Sequence, residues 1–180
     1  MAKVNDVAEW IGDQWRDLGP AALGPGPSDL ERINLDSIEE MLDEFGTFKF
    51  SKSQAQALIK AAKKAWDESD AGKWSGGRLR QLGSLVKGLD TSDIRKLGKE
   101  AFEEAVGVWG KYVDVDMETL KALADKAKEH LASGDISKLT AQLAKKLGRV
   151  VLGLTPDDLE KLKLDNIDII AALGKWEGVE

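Results

Sequence analysis

The sequence predicts an all-α fold of short helices arranged in repeated units, and three observations carry that prediction. The phrase LGPAALGPGPSDL from Leu18 returns as LGSLVKGLDTSDI from Leu82 and as LGRVVLGLTPDDL from Leu147, a period of about 64–65 residues. Between these phrases apolar residues recur every three or four positions, the spacing of one helix face. Glycines, and Ser, Thr or Asp, stand at the ends of the apolar runs, where helices stop and start. Repeated helical units pack against their neighbours, so the chain is expected to form a superhelical solenoid of the armadillo or HEAT kind. The expected division is one domain with a partial unit at 1–17, units at 18–81 and 82–146, and a partial unit at 147–180.

The elements follow in chain order. Trp10 and Leu18 match Trp74 and Leu82, so the N-terminal segment joins the series partway through a unit. Gly26, Pro27, Ser28 and Asp29 open a two-turn helix, as Asp90 to Asp93 and Thr155 to Asp158 do later. In the last of these, Thr155 serves as N-cap, Pro156 takes the first helical position and Asp157 and Asp158 meet the positive end of the helix dipole. A capped helix follows each time, from Asp36 to about Phe45, Lys99 to about Trp109 and Asp165 to about Leu173, stopped by Gly46, Gly110 and Gly174. Thr47 to Phe50 alternates too briefly for a strand; it and Tyr112 to Val115 in the next unit read as extended connectors.

The longest helix of a unit is clearest where Met117, Leu120, Leu123, Ala127 and Leu131 mark the apolar face, with Lys121, Asp125, Lys128 and Glu129 turned away. Asp114 or Asp116 is the expected cap and Gly134 the left-handed stop. A further helix is expected over about Ser137 to Leu152, ending at Gly153, and its counterpart over about Gly77 to Lys87, ending at Gly88. Each unit is thus expected to hold four helices, with Gly88 and Gly153 as left-handed C-caps.

Composition narrows the function. The 180 residues are 42% hydrophobic, enough to build a core, and carry a net charge of −6 without any basic block. That charge argues against a nucleic-acid binder, whose affinity comes from Lys and Arg on phosphates. Lys60, Lys63 and Lys64 fall at helical spacing and read as a solvated face. Cysteine is absent, which removes disulfides, thiolate chemistry and cysteine-bound zinc. No run of apolar residues suits a signal peptide or a membrane span, and no Asn-x-Ser/Thr sequon occurs. As written, the chain would be cytoplasmic and monomeric.

Candidate chemistry is thin. His130, the only histidine, has Lys126 and Lys128 beside it on the helix rather than a carboxylate or nucleophile partner. Gly76 and Gly77 precede Arg78 but follow no strand, so they make no phosphate loop. Glu31, Asp36, Glu39, Glu40, Asp43 and Glu44 lack the alternating pattern that surrounds a calcium ion and read as a solvated helix face. Trp10, Trp15, Trp66, Trp74 and Trp109 match Leu, Phe or Trp in other units, the mark of core volume; Trp176 lies past the last match. No catalytic, cofactor-binding or metal-binding residue is predicted, no cofactor is called for, and no partner-binding residue can be assigned.

Two resemblances add expectations. Lys87 to Asp93 and Ser133 to Lys138 resemble turns of the annexins, which implies calcium-dependent membrane binding, although Asp90 stands where that family has a second glycine. The ordered set Leu82, Gly83, Val86, Gly88, Leu89, Asp93, Ile94, Leu97, Ala101, Phe102, Ala105 and Val106 resembles the repeat of the mesothelin, stereocilin and otoancorin family over nearly the whole chain. That resemblance implies a right-handed superhelix acting without catalysis in adhesion at cell surfaces, with a protein or glycoprotein partner. The helices rich in Ala, Lys, Glu and Leu and the regular caps equally suit an engineered scaffold idealised on such a repeat, with no natural partner.

Overall fold

Helices account for all regular secondary structure among residues 7–162, which are the residues described by the structure, a computed structural model. Ten α-helices run in order: α1 Gly12–Leu18, α2 Pro27–Leu30, α3 Leu35–Phe45, α4 Lys52–Ala65, α5 Gly76–Gln81, α6 Thr91–Lys96, α7 Lys99–Trp109, α8 Met117–Leu131, α9 Ala141–Leu147 and α10 Pro156–Lys161. Short 3-10 turns join them, among them Gly19–Leu23, Gly83–Gly88 and Gly148–Gly153. The helix expected from Asp165 to Leu173, with Gly174 and Trp176, lies outside the described residues.

Caps and apolar spacing account for each helix. Asn34 opens α3, its side-chain oxygen accepting from the Asp36 and Ser37 amides at 2.9 and 3.3 Å. Ile38, Met41, Leu42 and Phe45 then fall on one face and are fully buried. At the start of α4, Ser51 Oγ accepts from the Gln54 amide and Gln54 Oε1 accepts from the Ser51 amide, a reciprocal box. The same Gln54 donates through Nε2 to the carbonyls of Leu23 and Pro25, both at 2.8 Å, so one residue caps its helix and fastens the preceding loop. Asp116 caps α8 and Thr155 caps α10, each accepting from an amide three residues on. Beyond α8 the chain turns through left-handed Ser133 (φ 51°) and Gly134 (φ 79°), as expected of a stop there.

Contacts recur at the period of the sequence. Helix α4 packs against α2 and the turn Gly83–Gly88, while α8 packs against α6 and the turn Gly148–Gly153. The Ser84 amide donates to the Gly46 carbonyl at 2.7 Å, and the Arg149 amide donates to the Gly110 carbonyl at 2.9 Å. Apolar residues from Val7 to Leu162 form one continuous core, with Trp15, Trp74 and Trp109 inside it.

Several expectations need correction. The single helices expected over Gly77–Lys87 and Ser137–Leu152 are each broken into an α-helix and a following 3-10 turn, because Gly83 (φ 47°) and Gly148 (φ 52°) reverse the backbone; the second also starts late, at Ala141, after a separate 3-10 turn Ile136–Lys138 and with Thr140 as its cap. Units therefore hold more, shorter pieces than four helices. Gly88 and Gly153 are not left-handed; their role is close approach. A Cβ on Gly88 would lie 2.4 Å from the Ala55 carbonyl carbon, and one on Gly153 would lie 2.1 Å from the Leu120 oxygen. Met117, placed on the apolar face, is 51% exposed, because it is the first residue of α8 and the buried face begins only at Thr119 and Leu120. Helix α3 starts one residue before Asp36, with Asn34 as its cap. Asp114 caps nothing and pairs with the buried ammonium of Lys87.

Candidate functional site

The side chains singled out by the sequence are brought into three settings: ion pairs between units, core packing, and two matching grooves. Lys63 of α4 meets Asp93 of α6 at 2.6 Å, and one period later Lys128 of α8 meets Asp158 of α10 at 2.5 Å. Both carboxylates are buried, so Lys63 and Lys128 are half-buried partners and not members of a solvated face. Burial by itself would raise the Asp158 carboxyl, but hydrogen bonds from Lys128 and Thr155 outweigh it and hold the group below its ordinary value. The same balance holds for Asp116, where burial is outweighed by bonds from the Thr119 amide and hydroxyl and from Lys52. Lys52 also reaches Glu118 at 3.2 Å and thereby ties the start of α4 to the start of α8.

These pairings were present in the sequence as matched positions, since Lys63 aligns with Lys128 and Asp93 with Asp158. Only the fold shows that Lys and Asp face each other. Lys126 was invisible in the same way: it is buried on α8 and donates to the Arg95 carbonyl at 2.6 Å.

His130 is a packing residue. Its Nε2 lies 3.1 Å from the Leu97 carbonyl, its ring is 6.0 Å from that of Phe102, and Nδ1 is 4.0 Å from Glu129. With a carbonyl as partner, Nε2 carries the proton and donates. The acid-rich stretch does not converge. Glu31 pairs with Lys60 at 2.7 Å, which holds its carboxyl below the ordinary value, and Glu44 pairs with Arg16 at 3.1 Å. Among the described residues no three His, Cys, Asp or Glu side chains are grouped to hold a metal ion. In the turn resembling the annexins, Lys87 is buried against Asp114, the Gly88 backbone is pressed on Ala55, and Asp93 is taken by Lys63. In the second such turn, Asp135 accepts from the amide and hydroxyl of Ser137 at 3.1 and 2.7 Å.

The tryptophans among the described residues serve packing. Trp15 sits edge-on to Phe45 at 5.3 Å, Trp66 edge-on to Trp74 at 5.2 Å, and the Trp109 indole donates to the Leu79 carbonyl at 3.1 Å. Trp66 also lies under the Arg78 guanidinium at 5.2 Å, a cation–π contact that orients Arg78.

Among the surface grooves of the described residues, two occupy matching places in the repeat. The first, about 530 Å³, runs between α3 and α5 and is lined by Asp43, Ser75, Gly77, Arg78, Arg80 and Gln81. The second, about 410 Å³, runs between α7 and α9 and is lined by Lys111, Gln142, Lys145 and Lys146 over Gly107, Gly110 and Gly148. They occupy matching places, since Asp43 aligns with Gly107, Gly77 with Gln142, Arg80 with Lys145 and Gln81 with Lys146. Volumes of this order accommodate a small ligand or a few residues of a peptide. The frame below both grooves is the same, namely the bonded pairs Gly46–Ser84 and Gly110–Arg149.

No protein-family model, curated protein or solved structure matches the chain. Among the described residues no helix is long and apolar enough to cross a membrane.

Proposed function

We propose that the chain is a non-catalytic binding module, a superhelical array of units about 64–65 residues long, which takes a protein or glycoprotein partner on the grooves between its helices. The observation that carries this reading is the contrast between frame and surface. The contacts between units recur residue for residue, as in Lys63–Asp93 with Lys128–Asp158 and Ser84–Gly46 with Arg149–Gly110. The residues lining the grooves change at the matching positions, from Asp43, Arg80 and Gln81 to Gly107, Lys145 and Lys146. Repeat proteins with a shared packing scheme and a varied exposed surface use that surface for recognition. The resemblance of the LG-to-GL phrase to the mesothelin, stereocilin and otoancorin repeat points to the same class, with adhesion as its setting.

Two measurements test the reading. A chain in which residues 82–146 are duplicated should fold cooperatively and gain helical signal in proportion to the added unit, because neighbouring units supply each other's interfaces. A binding screen against displayed extracellular domains should return a partner whose binding is lost on substitution in a groove and kept on substitution of exposed residues elsewhere. Turnover that depends on His130 or on a pair of carboxylates would overturn the proposal. An empty screen with a melting temperature above about 90 °C would favour the engineered scaffold instead.

A further inference from the structure

We propose that the groove between α7 and α9 seats an acidic peptide segment of a partner protein, whose carboxylates take the place that Asp43 fills in the groove between α3 and α5. This rests on the binding-module reading and names the chemistry of its partner.

In the first groove the chain supplies both signs of charge, with Asp43 beside Arg78 and Arg80. In the second, Gly107 replaces Asp43 and Lys111 replaces Thr47, so an anion is removed and a cation added at matching positions. Lys111, Lys145 and Lys146 are all exposed, line one groove, and form no ion pair among the described residues. Elsewhere the lysines between packed elements are matched: Lys52, Lys60, Lys63, Lys87 and Lys128 each meet a carboxylate of another helix or connector. A cluster of three unpaired lysines in a chain of net charge −6 therefore lines a surface with room for an external anion.

The side chains select a peptide. Three lysines are point charges on flexible stems, which follow anionic groups at the uneven spacing of side chains along a peptide. Gln142, exposed on the rim where the first groove has Gly77, offers an amide donor and acceptor that suit a peptide backbone. The floor is backbone. A Cβ on Gly107 would lie 3.2 Å from Lys146 Cγ, so the Lys146 stem lies across Gly107 and forms an apolar wall beside the charge.

The test is fluorescence anisotropy of the full chain with a labelled nonapeptide rich in Asp and Glu. Its Asn/Gln counterpart and a sulfated hexasaccharide serve as comparison probes, at low and high salt. The acidic peptide is expected to bind, to weaken with salt, and to lose about tenfold or more in affinity in the double variant Lys145→Glu, Lys146→Glu. Gln142→Ala is expected to weaken it further, while Arg80→Glu in the first groove leaves it unchanged. All substituted positions are exposed or on the groove rim, and an unaltered melting curve shows that each variant is folded. Binding of the acidic peptide that survives the Lys145/Lys146 double variant, or tighter binding of the sulfated sugar in the same groove, overturns the inference. A screened partner that still binds the double variant overturns this site while leaving the binding module standing; the absence of any partner strikes the module itself.

Discussion

Three glycine-to-alanine substitutions separate two reasons for glycine that the sequence presents as one. Gly19 has φ 48° and ψ −125°, and a Cβ there meets nothing within 4 Å, so Gly19→Ala costs backbone strain alone, about 1–3 kcal/mol. Gly153 has no positive φ, but its Cβ would lie 2.1, 2.3 and 2.6 Å from Leu120 O, Leu120 C and Lys121 N. Those atoms belong to the backbone of α8 and cannot rotate aside, so Gly153→Ala should fall at the upper end of the overpacking range, about 3 kcal/mol. Gly148 combines both features, with φ 52°, ψ −130° and a Cβ 2.5 Å from the Gly110 oxygen that accepts from Arg149. Gly148→Ala should therefore cost about 4 kcal/mol or more, a large part of the roughly 5–15 kcal/mol that stabilises a domain. Urea titration followed by circular dichroism measures all three. At about 2–4 °C per kcal/mol, Gly153→Ala should lower the melting temperature by roughly 6–12 °C. A loss below about 1 kcal/mol for Gly153→Ala, or a Gly148→Ala variant no worse than Gly19→Ala, would refute the assignment of these glycines to close approach.

Other expectations follow from the core, the ion pairs and the turns. Leu89→Ala and Leu154→Ala should each cost about 2–5 kcal/mol, with Leu154 the milder because it is 8% exposed against 3% for Leu89; either value below about 1 kcal/mol would mean that these side chains do not fill core volume. The Asp158 carboxyl is held below its ordinary value, so its contribution is present above about pH 4 and fades as the pH falls through the folded-state value. Denaturation at pH 7 and pH 3 should show Asp158→Asn more destabilising at the first than at the second, and an equal effect at both would contradict the pairing with Lys128. Calcium should leave the melting curve where chelator puts it, because Asp93 and Asp135 already hold protein partners; a calcium-dependent rise of several degrees would revive the annexin-like reading. In the first turn of α5, Gly77→Ala meets only Ser75 Oγ at 3.8 Å and should stabilise by about 0.4–1 kcal/mol, measured in the same urea titration.

Local chemistry is legible in the sequence. Thr155 with Pro156, Asp116 and Gly134 are recognisable as helix boundaries because a cap needs only residues three or four apart. The buried faces of α3 and α7 can likewise be read from Ile38, Met41, Leu42 and Phe45 and from Phe102, Ala105, Val106 and Trp109. The candidate grooves are not legible there. Gln142, Lys145 and Lys146 carry no motif, and their meaning comes from facing Gly107 and Lys111 on another helix.

By itself, the sequence determined the all-α character of the described residues, the period, most caps and the burial of Trp15, Trp66, Trp74 and Trp109, since each depends on composition or on spacing within one helix. The tertiary structure alone decided which glycines bend the chain and which admit a neighbouring backbone. Gly148 and Gly153 are the same residue type in one phrase, yet one has φ 52° and the other lies against Leu120. It also decided that Lys63 and Lys128 are partners of buried acids while Lys145 and Lys146 face solvent over a glycine floor. Periodicity reports that a face is buried or exposed; what lies opposite it is a property of residues far apart in the chain, brought together only by packing.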